Sequence, residues 1–368
     1  MTTSTQPPFR ADHVGSLLRP KFLLEAREAA AKKEISAEQL REVEDRAIKE
    51  AIRLQEDVGL QSVTDGEFRR TYFHIDFLEQ LGGVKTDIPV TIKKPDGTEE
   101  LAPPVMRVVG KVQHVKDIQL ADFKFLAAHT KQTPKVTIPS PTMLHFRGGR
   151  AGISKEHYPD LEPFYEDVAQ AYAAELRSLA QAGCRYVQMD DTNLAYLCDE
   201  KMREAARQRG DDPNELPYRY ASFINRVVAL KPPGMTLAVH LCRGNFKSTW
   251  AAQGGYEPVA EALLSRMNVD AYFLEYDDER SGDFRPLRFL PKGKTVVLGL
   301  VTTKLGQLEK KDDLKRRIEE AARYAPLEQL ALSPQCGFSS TVHGNDIAVE
   351  QQIAKLRLVV ETAREVWG

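Results

Sequence analysis

The sequence predicts an α/β fold: a parallel (β/α)8 TIM barrel with an inserted β-hairpin after the second strand. Three observations carry this reading. Eight short apolar runs alternate with helical stretches along the chain. The runs lack the in–out alternation of a half-exposed sheet, as strands buried on both faces do. Nearly every run ends in polar residues, the pattern of barrel strands whose C-terminal ends carry the active site. A doubly wound open sheet is the competing arrangement. All 368 residues are read as one domain, 1–368, with 83–129 as a decoration within it.

The first strand candidate is 13–18, followed by a helix that starts at Ser36. Gln39 stands at the capping-box position, and Ile35 and Leu40 are placed for a hydrophobic staple. Leu40, Val43, Ala47, Ala51, Leu54 and Val58 recur by threes and fours, the stripe of a buried helix face. Gly59 ends the helix, and QSVTDGEF reads as strand two. Residues 83–129 break the rhythm: alternating residues flank Pro95-Asp96-Gly97, a turn signal for a hairpin. Strand three is expected over 136–144. A helix over 163–182 stops at Gly183 and leads into CRYVQMDD, strand four. TLAVHLC, AYFLEYDD, TVVLGLVTT and LALSPQCG are strands five to eight, and a long helix from about residue 345 closes the chain.

Composition bounds the function classes. Charged residues make up 28% of the chain and the net charge is -2, with no basic block of the kind that tracks nucleic acid. No run of about 18 apolar residues suits a membrane span, and the N-terminal segment has no targeting pattern. Four cysteines in a chain this long make no disulfide framework, which fits a reducing cytoplasm. Cys184 and Cys198 read as packing residues.

The chemistry sits at the predicted strand ends. His240 and Cys242 close strand five, Glu275 closes strand six and Cys336 follows strand eight. One imidazole, two thiols and a carboxylate form a tetrahedral zinc donor set. In His240-Leu241-Cys242 the alternation of a strand puts the His and Cys on one face. Each element also has a bland reading. A His-x-Cys pair serves hydrogen bonding as readily as metal binding, and Glu275 has Asp277, Asp278 and Glu279 beside it. Glu67 and Asp190, at strands two and four, can pair with arginines such as Arg69 or Arg185, and Gly15-Ser16 can be a plain turn. Taken together, these residues make an anionic pocket with a metal on one side, suited to a small substrate bearing an ammonium group.

The segments HVGSLLRP, TDGEFRR, VQMDD, VHLCRGNF, FLEYDD and SPQCGFSS resemble the catalytic barrel of cobalamin-independent methionine synthases, from about Phe9 to the last helix. The likeness is to the short, single-barrel members. It implies Zn2+ held by His240, Cys242, Glu275 and Cys336, with Glu275 yielding its place to the substrate sulfur. It implies a homocysteine site at Gly15, Ser16, Glu67 and Asp190, and methylation of the zinc-bound thiolate to give methionine. The donor side departs from the pattern. Phe146 stands where the long enzymes stack a methylfolate on a tryptophan, and strand seven ends Val301-Thr302-Thr303 without their Asp-x-His pair. His145, His343 or His13 is a candidate substitute for the missing acid. The donor is thus a methylfolate, a methylcobalamin protein or a sulfonium compound. Two other chemistries stay open: alkyl transfer to another thiol, of the epoxide:coenzyme M transferase type, and zinc hydrolysis.

Overall fold

The structure, a computed structural model, describes residues 6–86, 91–93, 99–101, 105–245 and 247–368. Among them are eleven strands: β1 (Ser62–Val63), β2 (Gly82–Thr86), β3 (Thr91–Lys93), β4 (Glu99–Leu101), β5 (Met106–Gln113), β6 (Thr133–Pro139), β7 (Tyr186–Asp191), β8 (Thr236–Leu241), β9 (Ala271–Glu275), β10 (Thr295–Val301) and β11 (Leu330–Pro334). Seven form one parallel sheet in the order β1-β6-β7-β8-β9-β10-β11. Apart from the excursion through β2–β5, the order in space is the order in sequence, which right-handed strand–helix–strand crossovers produce.

The sheet is curled. Val14, Tyr186, Ala238, Ala271, Phe273, Val297 and Ala331 form a small apolar cluster of their own, separate from the large core between sheet and helices. These residues come from five strands and the N-terminal segment, so they line the inner face of the curl. Lys135 is buried in the same interior, with Nζ 3.2 Å from Asp12 Oδ1 and donating to the His13 carbonyl at 2.6 Å.

The N-terminal segment lies between the two edge strands. Ala11 makes a parallel bridge to Leu332 of β11, while the Ser62 hydroxyl of β1 donates to Asp12 at 2.8 Å. The expected strand at 13–18 is therefore displaced to a single bridge around Ala11. Beyond it the backbone turns away, with Gly15 at φ +143°. Strand two is two residues long rather than the whole of QSVTDGEF, because Gly66 and Glu67 take left-handed conformations at φ +69° and +60°. Strand three starts at Thr133, where it pairs with Ser62, and it ends at Pro139. The last residues expected in it form a helical turn, Met143–Phe146.

The expected helices are present as Ala37–Val58 and Leu161–Gln181, and the last helix begins at Val349. Lys21–Ala31 is an additional helix. Within 83–129, β2 pairs antiparallel with β5 and β3 with β4. The segment ends in the helix Leu120–His129, which packs against β6. The expected turn at Pro95-Asp96-Gly97 lies outside the described residues. No helix among the described residues is long and apolar enough to cross a membrane.

Candidate metal centre

Because all seven strands run parallel, their C-terminal ends share one rim, and most of the sequence-derived site residues gather there. Asp190 and His240 are register partners on β7 and β8. Glu275 ends β9 opposite Gly299 of β10. Cys242 follows β8 and Cys336 follows β11. Their sulfurs lie 3.2 Å apart, and the donor atoms of His240, Cys242 and Cys336 all fall within 4.8 Å of one another. All three residues are buried, and neither ring nitrogen of His240 has a hydrogen-bond partner. A buried imidazole without partners beside two thiols is the donor set of a zinc ion, so these residues fit the metal.

The sulfurs share their protons unequally. Hydrogen bonding between them, together with burial, raises the Cys242 thiol. The same bond from Cys242 and the proximity of His240 lower Cys336 despite its burial.

Glu275 is fully buried near this cluster but is engaged by cations. Its Oε1 accepts from Arg280 Nη2 at 2.8 Å and Lys304 Nζ at 3.2 Å, and its Oε2 accepts from the Arg243 backbone N–H at 2.9 Å. Burial pushes this carboxyl up, but Lys304, Arg243 and Arg280 outweigh it and the net shift is downward.

The substrate-side residues gather around the N-terminal loop. A Cβ at Gly15 would lie 3.2 Å from Glu67 Oε1 and 2.6 Å from Thr137 Cγ2, so only glycine permits this approach. Ser16 Oγ accepts from the Ser339 backbone N–H at 3.2 Å, and a Cβ on Gly337, next to Cys336, would fall 1.9 Å from that oxygen. Glu67 is 3% exposed and accepts from Thr137 Oγ1 at 2.8 Å, with Arg70 Nη1 3.8 Å away. A non-glycine residue held at φ +60° is a strained position of the kind found at functional sites. Asp190 accepts from Gln188 at 2.7 Å, and burial raises its carboxyl to about 7. Burial raises Glu67 as well. Arg70 opposes the shift at both acids without cancelling it, and two buried carboxyls that stay raised suit a bound cation.

The donor-side candidates lie elsewhere in the packing. Phe146 is 5% exposed, packed against Tyr196 and Tyr220 with the Arg209 guanidinium 5.2 Å over its ring. His145 is buried, with Nδ1 2.9 Å from the Tyr220 hydroxyl, and burial pushes it down to about 4, which holds the imidazole neutral. His343 is exposed on the turn after the Cys336 loop. His13 is buried in the sheet interior beside Asp12 and Lys135, and burial lowers it to about 4.

Several residues were not singled out from sequence. Arg19 donates to Ser339, Thr341, Glu67 and Arg70, lashing three loops of the site together. Arg70 was legible as the second arginine of TDGEFRR, next to the acid it serves. Lys304 and Arg280 carry no sequence signal that separates them from solvated surface charges.

A model of the cobalamin-independent synthase catalytic domain matches residues 10–365. The chain belongs to the cobalamin-independent methionine synthase family. It is 49% identical to the Bacillus subtilis protein YxjH over 98% of this chain and 95% of that one. A Pyrococcus abyssi methionine synthase is 25% identical over 88% of this chain and 84% of its own. The crystal structure of a Listeria monocytogenes protein, assigned as a vitamin-B12-independent methionine synthase, superposes with a TM-score of 0.78 at 38% identity, covering 98% of each chain. The curled parallel sheet is thus the fold of this family.

Proposed function

We propose that the protein is a zinc-dependent methyltransferase that methylates the homocysteine thiol to give methionine. The observation that carries this is one rim holding two sites. His240, Cys242 and Cys336 converge within 4.8 Å, and the buried acids Glu67 and Asp190 stand beside them, Asp190 in register with His240. The name and likeness of the Pyrococcus abyssi methionine synthase support the same acceptor. A zinc ion bound there supplies a Lewis acid that keeps a coordinating thiol deprotonated at neutral pH, where a free thiol with pKa about 8.5 is mostly protonated.

The chain's own residues do the rest. Glu67 and Asp190 take the substrate ammonium, and the backbone at Gly15 and Ser16 takes its carboxylate. Thr137 and Arg70 fix the Glu67 carboxylate, and Arg19 fixes the loops that carry both groups. An amino acid held at both charged ends presents its sulfur in one direction, so positioning lowers the barrier to attack on the methyl carbon. Phe146, with Tyr196 against it, is the donor-side aromatic in this reading. The donor is an electrophilic methyl compound: a methylfolate, a methylcobalamin protein or a sulfonium. The buried, neutral His145 is a weak proton source for an amine leaving group, which favours donors that leave without one.

This reading takes residues 1–368 as a single barrel closed by the N-terminal segment, with 83–129 inserted in it, working in a reducing cytoplasm that keeps both thiols free. Zinc X-ray absorption with and without L-homocysteine tests it. Two sulfur donors becoming three on addition of the thiol is the expected result; an unchanged spectrum would remove homocysteine as the acceptor. Cys336→Ser should weaken zinc binding beyond the roughly 10- to 100-fold that loss of an outer partner costs, and alkylation should vanish while the far-ultraviolet circular dichroism stays native.

A further inference from the structure

We propose that Glu275 is a clamped counter-ion in this protein: Arg280 and Lys304 hold its carboxylate, the chain offers the metal only His240, Cys242 and Cys336, and the fourth position is left to an outside ligand. The inference rests on the zinc reading above and narrows it for this chain.

The geometry of the carboxylate is the first argument. Oε1 has two acceptor lone pairs, and both are engaged, by Arg280 Nη2 at 2.8 Å and Lys304 Nζ at 3.2 Å. Oε2 accepts from the Arg243 backbone N–H at 2.9 Å and has the Arg243 guanidinium 3.9 Å away. The three residues whose donor atoms converge are His240, Cys242 and Cys336; Glu275 is not among them.

Charge balance is the second argument. Arg280 also reaches Asp277 at 3.4 Å, and Lys304 lies 3.9 Å from it. With the buried Arg243 guanidinium and the half-exposed Asp278 that Arg280 also meets, three cations face three carboxylates and the group is neutral, with Arg280 and Lys304 only 7% and 6% exposed. Moving Glu275 onto the metal would leave a buried cation short of a partner, which is strongly unfavourable. On the metal side, two thiolates already neutralise a divalent ion, and a third anionic protein ligand would oppose the entry of an anionic sulfur. Three protein donors with an open fourth position is the arrangement of catalytic zinc. The Trp250 ring packs 4.6 Å from the Arg280 guanidinium and shields the clamp from one side.

Zinc affinity, measured by chelator competition on the full chain, separates the alternatives. Glu275→Gln is expected to keep one zinc per chain with less than about a tenfold change in Kd, while Cys336→Ser loses the metal. Equal loss from both variants overturns the clamp and leaves the metal reading standing. Retention by both takes down the metal reading and the clamp with it. The cobalt(II)-loaded protein gives a second readout. Lys304→Met, which frees one lone pair of Oε1 while Arg280 keeps the other, should shift the d–d bands as the carboxylate enters the coordination shell, and bands identical to wild type would overturn the role given to Lys304. If Glu275→Gln does not fold, the anomalous difference map of zinc-soaked wild-type crystals decides. A Glu275 oxygen bound to the metal, with its Lys304 pair broken, would refute the proposal; an intact pair would support it.

Discussion

Glu67 meets three constraints at once: a left-handed backbone, a buried carboxylate, and contact with both Thr137 and the Gly15 turn. Glu67→Gln keeps the shape and removes the charge. A hydrogen bond to a charged group is worth about 1.5–3 kcal/mol, so homocysteine binding should weaken about 10- to 100-fold by calorimetry, with zinc content unchanged. Unaltered affinity would place the ammonium elsewhere. Gly15→Ala forces a methyl group to 2.6 Å from Thr137 Cγ2 on a backbone at φ +143°. It should cost about 1–3 kcal/mol of stability in urea denaturation and impair thiol binding with it. At this scale the sequence was legible where residue type and strand-end position coincide, as at His240, Cys242 and Cys336. It was silent on Lys304 and Arg280, since a lone basic residue in a loop looks the same whether it is solvated or paired with a buried carboxylate.

Local rules set the helices more firmly than the strands. The helix Ala37–Val58 has both hydrogen bonds of its capping box, Gln39 N to Ser36 Oγ at 3.2 Å and Ser36 N to Gln39 Oε1 at 2.8 Å, and Gly59 ends it at φ +92°. Ser36→Ala should therefore cost about 1 kcal/mol in urea denaturation, and a change within error would mean that tertiary packing alone holds the helix start. Strand limits moved where tertiary partners overrode composition. β6 begins before the apolar run because Lys135, which reads as a surface residue, is buried against Asp12. The strand expected at 13–18 shrinks to a bridge at Ala11 because the following residues must turn to meet Glu67 and the loop after Cys336. The helix Lys21–Ala31 has no sequence signal of its start, because its N-cap is Pro20, with no side-chain cap, and only Leu23 is buried.

Burial of uncharged histidines couples the whole molecule to pH. His74 has both ring nitrogens unpartnered, and burial pushes it from 6.5 down to about 3. Below pH 6.5 the unfolded chain takes up a proton that the folded one refuses, so stability falls as pH falls. Between pH 7 and pH 5 this one group removes about 2 kcal/mol. His74→Leu should lose that much less stability than wild type over the same interval in paired urea titrations; parallel losses would show that His74 is protonated in the fold. The sequence by itself determined the alternation of strand and helix, the capped helix after Ser36, and the polar residues that end each strand. These depend on period and on neighbours a few residues away. Only the tertiary structure decided which strand ends meet. Cys242 and Cys336, 94 residues apart, come within 3.2 Å because the parallel sheet curls and brings its far strands to one rim. It also decided that Glu275 faces three cations, since which buried charges pair is fixed by the common requirement that none be left alone in a low dielectric.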